Sequence, residues 1–245
     1  LRLRAPRQLP FHAPHYVDRV LAALPARPLP AGTDLTTTLD LRLQRLLERR
    51  LRQHLALARR RGIDNAAVML VDTRDMAVRA LIGSADWHDA SIHGQVNGTN
   101  AKRSPGSTLK PFLYALGLDQ GVLHPATVLR DVPSAFGPYT PENFDGGFMG
   151  PVTATEALVR SRNIPAVWVG AQLSNPSLHG LLREAGVRDL RSEQHYGLAL
   201  VLGGGEVTME ELARLYAVLA NGGRVRQLAY TREDAQAQAA EEADH

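Results

Sequence analysis

Lys102-Arg103-Ser104-Pro105-Gly106-Ser107-Thr108-Leu109-Lys110-Pro111-Phe112 sets a hydroxyl three residues before an amine, after a Pro-Gly break and at the head of an apolar run. The pattern predicts a helix over residues 107–121, with Phe112, Leu113, Leu116 and Leu118 on its buried side. On a helix, positions i and i+3 share a face, with Cβ atoms about 5–6 Å apart. The Lys110 amine can therefore reach the Ser107 hydroxyl. Serine is a weak nucleophile until a neighbouring base takes its proton, and a lysine whose pKa is lowered by burial can be that base. A serine in a first helical turn also lies beside free backbone N–H groups, which can steady an oxyanion. S-x-x-K alone remains a weak pattern, common on solvated helices.

Downstream, Ser161-Arg162-Asn163 precedes Ile164-Pro165. Taken alone, Ser161 could be a helix C-terminal residue and Asn163 an N-cap. Serine acyl-transferases that use S-x-x-K pair it with an S-x-N element, whose hydroxyl shuttles a proton and whose amide holds substrate. The flanks agree. Arg103-Ser104-Pro105-Gly106-Ser107-Thr108-Leu109-Lys110-Pro111-Phe112 resembles the nucleophile segment of the penicillin-binding proteins. Tyr139-Thr140-Pro141-Glu142-Asn143-Phe144-Asp145 and Gly150-Pro151-Val152-Thr153 are similar to the stretch between that family's first two motifs. Ser161-Arg162-Asn163-Ile164-Pro165-Ala166-Val167 resembles its second motif. Gly203-Gly204-Gly205-Glu206-Val207-Thr208 through Leu219-Ala220-Asn221-Gly222-Gly223 is similar to the approach to its third. The likeness runs from about residue 36 to 226 and is nearest to the class A, penicillin-binding protein 1C type.

The resemblance implies an α+β fold like those of penicillin-binding proteins and serine β-lactamases: an antiparallel sheet flanked by helices, with an all-helical subdomain. The third motif, K-T-G, is absent, and the only lysines are Lys102 and Lys110. The chain is therefore expected to be truncated before that motif, with C-terminal strands missing and an unpaired edge on its first hairpin. Arg162 stands where a leucine or another small or apolar residue is more usual. The activity implied is a D,D-transpeptidase that cross-links peptidoglycan stem peptides through an acyl-serine, in a parent that also carries a glycosyltransferase. Ser107, Lys110 and Ser161 would be catalytic. Asn163, Tyr139 and Asn143 would contact substrate, with Phe144 a further candidate. Partners would be stem peptides, β-lactam antibiotics and other cell-wall synthesis proteins, at the periplasmic face of a bacterial inner membrane reached through an upstream anchor. No cofactor or metal is implied. A penicilloyl sensor, or an incompetent remnant, is the alternative.

Composition fits this reading. At 245 residues, 44% hydrophobic and 22% charged, the chain can bury a core. Zero cysteines excludes disulfides and thiol catalysis. The histidines form no H-x-x-x-H pair of the zinc-binding kind. No apolar run is long enough to span a bilayer. Net charge is only +3, and nucleic acid is not an expected partner.

Along the chain, residues 1–35 read as a Pro-broken linker with a helical patch near Tyr16, 36–230 as the partial transpeptidase domain, and 231–245 as a disordered or weakly helical tail. A helix is expected over 40–61, its arginines a solvated face without the aromatics that nucleic-acid binding needs. Residues 66–72 and 76–83 predict a hairpin. Residues 122–152 read as irregular and 198–202 as a short strand or extended segment. Thr153 with Glu156, and Thr208 with Glu211, have capping-box spacing and should each open a helix.

Overall fold

The computed structural model describes residues 11–24, 32 and 34–243, and its contacts divide the chain into two units. The first unit takes residues 1–101 and 208–245 and the second 102–207, a finer division than the single domain expected over 36–230.

In the first unit, strands β1 (Val68–Asp72) and β2 (Ala77–Ile82) form the expected antiparallel hairpin, paired from Val68 opposite Ile82 to Asp72 opposite Ala77 with a one-residue register shift between Leu70 and Val71. β2 is buried at every position but Arg79, so its β-branched and aliphatic side chains fix the register by burial. Its second edge is occupied: the Val78 N–H donates to the Ala229 carbonyl, and the Ala229 N–H to the Met76 carbonyl. The expected open edge lies on β1, which has no second strand partner among the described residues.

Helix α1 (Pro14–Leu21) and helix α2 (Leu41–Ala58) cover this hairpin. Asp40 caps α2 by accepting the Arg42 and Leu43 N–H groups. Gln44 lies on its inner face, where its amide exchanges two hydrogen bonds with the Leu81 backbone, much as a strand would. The α1 segment departs from the linker reading at residues 14–21; residues 1–10, 25–31 and 33 of that reading lie outside the described residues. Tyr16, 1% exposed, packs with Val78, Leu81 and Tyr230, and its hydroxyl donates to the Tyr230 carbonyl.

Helix α8 (Met209–Ala220), opened by the Thr208–Glu211 capping box, and helix α9 (Arg232–Ala243) complete this unit. The tail, expected to be disordered or weakly helical, is helical over residues 232–243, with Thr231 accepting the Asp234 N–H at its start. Residues 244–245 of that tail lie outside the described residues.

In the second unit, a 3-10 turn (Gly106–Leu109) runs into helix α3 (Lys110–Asp119), where one helix from residue 107 was expected. Two short strands interrupt the stretch read as irregular: β3 (Val128–Asp131) pairs antiparallel with β4 (Gly150–Thr153). At four residues each they are too short for a period-2 signal to stand out. The Thr153–Glu156 box opens helix α4 (Ala154–Val159), and helix α5 (Asn163–Gln172) follows. Ile164, Val167 and Val169 of α5 and Leu109 and Leu113 are buried together in this unit. Helices α6 (Leu178–Glu184) and α7 (Glu193–Tyr196) lead to a second 3-10 segment, Gly197–Leu202. That segment replaces the extended run expected over 198–202. A short apolar stretch carries no period that separates strand from helix, and packing of Leu200 and Val201 against α5 decides the matter.

Candidate active site

Pro105 and Gly106 set up the turn that carries Ser107. Gly106 has φ +55°, a conformation side chains resist, and it turns the backbone into the 3-10 segment carrying Ser107. Gly203 braces that turn: a Cβ there would lie 2.4 Å from the Gly106 nitrogen, and its carbonyl accepts the Ser104 hydroxyl at 2.7 Å. In a 3-10 helix residues i and i+3 eclipse, so Ser107 and Lys110 stand on one side of the turn. Ser107 is exposed and lines a cleft of about 590 Å³, together with Phe144, Arg160, Ser161 and Asn163. Its backbone N–H has no acceptor among the described residues. It is a donor ready for an oxyanion.

Beneath Ser107, Lys110 is 1% exposed. Its Nζ donates to the Ser161 carbonyl at 2.7 Å, the Ser161 hydroxyl at 3.2 Å and the Asn163 Oδ1 at 2.6 Å. The expected contact between Lys110 and Ser107 is not among its hydrogen bonds; the amine faces the second motif instead. Burial, and then the positive field of Arg162, lower its pKa from 10.5 to about 8.

The second motif owes its shape to a helix end. The Ser161 N–H donates to Leu158 and the Arg162 N–H to Ala157, both at 2.9 Å, which closes α4 in a Schellman motif. The residue that turns left-handed in this motif is usually glycine; here it is Ser161, at φ +54°. That conformation costs a non-glycine residue about 1–2 kcal/mol. The turn aims both the carbonyl and the hydroxyl of Ser161 at Lys110.

Asn163 begins α5 itself and caps nothing with its side chain. Its Oδ1 faces Lys110 and its Nδ2 donates to the Glu142 carbonyl, an amide orientation that the network of partners fixes.

Asn143, expected at the substrate, lines the cleft but is only 5% exposed. Its Nδ2 donates to Asp131 Oδ1 and the Gly147 carbonyl, and its Oδ1 accepts the Asn163 N–H at 2.8 Å. Both amide hydrogens are engaged within the protein, so it holds the α5 N-terminus rather than presenting a free donor. Tyr139 also departs from expectation. It pairs through its backbone with Phe136 and does not line the cleft. Phe144 does line it, fully exposed.

Arg162, the unusual middle residue of the motif, is buried. Its Nε donates to Asp131 Oδ2 at 2.7 Å, its Nη1 to Asp145 Oδ2 at 2.9 Å, and its Nη2 to the Gly147 carbonyl. Asp131 is wholly buried and also accepts the Met149 N–H. A continuous chain of bonds therefore links Arg162, Asp131, Asn143, Asn163 and Lys110. Sequence reading passed over Asp131. The signal available was Arg162, because a charge inside a buried motif requires a carboxylate partner.

Among the described residues no group of histidines and carboxylates is arranged to hold a metal, and no helix is long and apolar enough to cross a membrane.

The family model of the penicillin binding protein transpeptidase domain matches residues 66–244. Penicillin-binding protein 1C of Escherichia coli (strain K12) is 40% identical over 225 residues, 91% of this chain and 28% of that protein. Penicillin-binding protein 1A of Neisseria meningitidis serogroup A is 35% identical over 164 residues, 64% of this chain and 20% of that protein. The chain thus spans under a third of the length of these relatives. Among solved structures, PonA1 of Mycobacterium tuberculosis in complex with penicillin V aligns with a TM-score of 0.73 at 21% identity, over 90% of this chain and 62% of that one. Penicillin-binding protein 1A of Haemophilus influenzae aligns with a TM-score of 0.59 at 27% identity, over 68% of this chain and 25% of that one.

Proposed function

We propose a reaction for a chain that belongs to the penicillin-binding protein transpeptidase family: peptidoglycan D,D-transpeptidation through an acyl ester on Ser107. The observation that carries it is the buried Lys110 amine, bonded to Ser161 and Asn163 beside the exposed Ser107. Neutral Lys110 accepts the Ser107 proton, and Oγ attacks the carbonyl carbon of a D-Ala-D-Ala bond. The Ser107 N–H stabilises the oxyanion. As the tetrahedral species collapses the C–N bond breaks, and the proton held on Lys110 passes through the Ser161 hydroxyl to the leaving amine of D-alanine. An amine from a second stem peptide then attacks the ester and gives up a proton as Ser107 regains its own. Asn163 holds Lys110 in place and offers its amide to the acyl-peptide. Asn143 serves as a positioning residue, while Phe144 packs against the peptide.

A β-lactam carries the same type of carbonyl and stops at the ester stage. We assign residues 36–230 to the transpeptidase domain, together with α9, which lies within the family match. The parent would be a bifunctional glycosyltransferase/transpeptidase acting at the periplasmic face of the inner membrane, alongside other cell-wall synthesis proteins.

The test is mass spectrometry of the parent protein after exposure to a labelled penicillin. The adduct is expected on Ser107, and Ser107→Ala should lose it while unfolding at the wild-type temperature. An adduct on another residue, or undiminished labelling of Ser107→Ala, would overturn the assignment. Stem-peptide cross-linking separates a turning-over enzyme from a penicilloyl sensor, which would acylate and stop.

A further inference from the structure

We propose that the solvent face of α2 is a docking surface for an anionic phospholipid bilayer. Residues 41–61 carry eight arginines against the single Glu48, a net of +7, whereas the whole chain carries only +3. The rest of the molecule is therefore net negative, and the cation excess is gathered on this helix and the 3-10 turn Arg59–Arg61 that continues it. Arg42, Arg45, Arg49 and Arg52 recur at three- and four-residue steps and form one exposed stripe. Beside it run Leu46 and Leu57, 38% and 70% exposed. The opposite face holds Leu51, Leu55 and Ala58 against Ile82, so the helix is anchored from behind and its basic face is turned outward.

Internal pairing accounts for little of this charge. Arg42 meets Asp40 and Arg59 lies 3.9 Å from Asp64. Arg45, Arg49, Arg52, Arg60 and Arg61 form no ion pair among the described residues.

The chemistry selects the partner. Guanidinium groups match phosphate oxygens two at a time. Exposed leucines among them can sink between acyl chains, as in helices that lie in a membrane interface. A polynucleotide would supply the phosphates but has no use for the leucines, and this face offers no aromatic ring on which bases could stack. At about 1.5 Å per residue the helix gives a contact line about 27 Å long. The proposal is independent of the acyl-transfer chemistry.

The experiment is cosedimentation of this chain with phosphatidylcholine vesicles, with and without phosphatidylglycerol, at low and high salt. Binding is expected only to the vesicles containing phosphatidylglycerol, and it should fall as salt rises. Each arginine removed near an anionic surface should weaken binding about five-fold, so Arg45→Gln/Arg49→Gln/Arg52→Gln should weaken it about a hundred-fold. Leu46→Asn/Leu57→Asn should weaken it too, and the salt series on the unaltered chain needs no variant at all. Circular dichroism checks that the variants keep their helix. Equal binding to pure phosphatidylcholine, no binding to either vesicle, a triple variant that binds like the parent, or tighter binding to DNA than to the vesicles would each overturn the proposal.

Discussion

Lys110 has an amine whose hydrogen bonds all go to the second motif, and its pKa of about 8 follows from burial and from Arg162 nearby. At pH 7 about one amine in ten is then neutral, against fewer than one in a thousand for a free lysine. The neutral amine is therefore available but not dominant at neutral pH. In the proposed mechanism the neutral form is the active one, so the penicillin acylation rate should rise with pH and level off above about 8. Lys110→Arg should abolish the reaction without unfolding the protein; a pH-independent rate would refute the role.

Ser161 makes a second prediction at this scale. Its left-handed backbone suits glycine better than serine, so Ser161→Gly should raise stability by about 1 kcal/mol. The same change removes the hydroxyl proposed as proton relay, so acylation should fall. Thermal unfolding and labelled-penicillin uptake moving in opposite directions would mark a strain kept for function.

Among the elements, the 3-10 turn at Gly106–Leu109 and the segment Gly197–Leu202 are joined by the close approach of Gly203 to Gly106. Gly203→Ala places a methyl group against the Gly106 backbone and adds a side chain at φ +89°. Both effects displace the turn that carries Ser107. Acylation should drop by about ten-fold or more, since an ångström-scale misplacement is enough to cost such factors, with helical content unchanged. An unaltered rate would show that the turn keeps its own shape.

The helix starts were legible beforehand: the Thr153–Glu156 and Thr208–Glu211 boxes both form as their spacing requires. Their bonds are local, and spacing alone specifies them. β3 and β4 were not legible. Each depends on the other across a long loop, and on Asp131 receiving Arg162 at the end of the pair.

Across the whole molecule, the first unit is made from both ends of the chain. Thr37 bridges Thr231, Ala77 bridges Ala229, and Tyr16 bonds to the Tyr230 carbonyl. Removing residues 228–243 should therefore leave β2 without its second edge and the Tyr16 hydroxyl without the carbonyl it donates to. The shortened chain is expected to unfold at markedly lower temperature; an unchanged transition would show that this segment is ornamental. By itself, the sequence determined the family, the two motifs, the capped helix starts and the first hairpin, because these rest on residue identity and short spacing. Tertiary structure alone decided that α1 belongs to the core and that Ala235 of α9 packs against Ala77 and Ala229. It alone engaged the Asn143 amide within the protein and made Arg162 the partner of a buried Asp131. Those outcomes depend on which polar groups lose water together, and a buried charge or amide takes its role from partners that folding brings to it from distant parts of the chain.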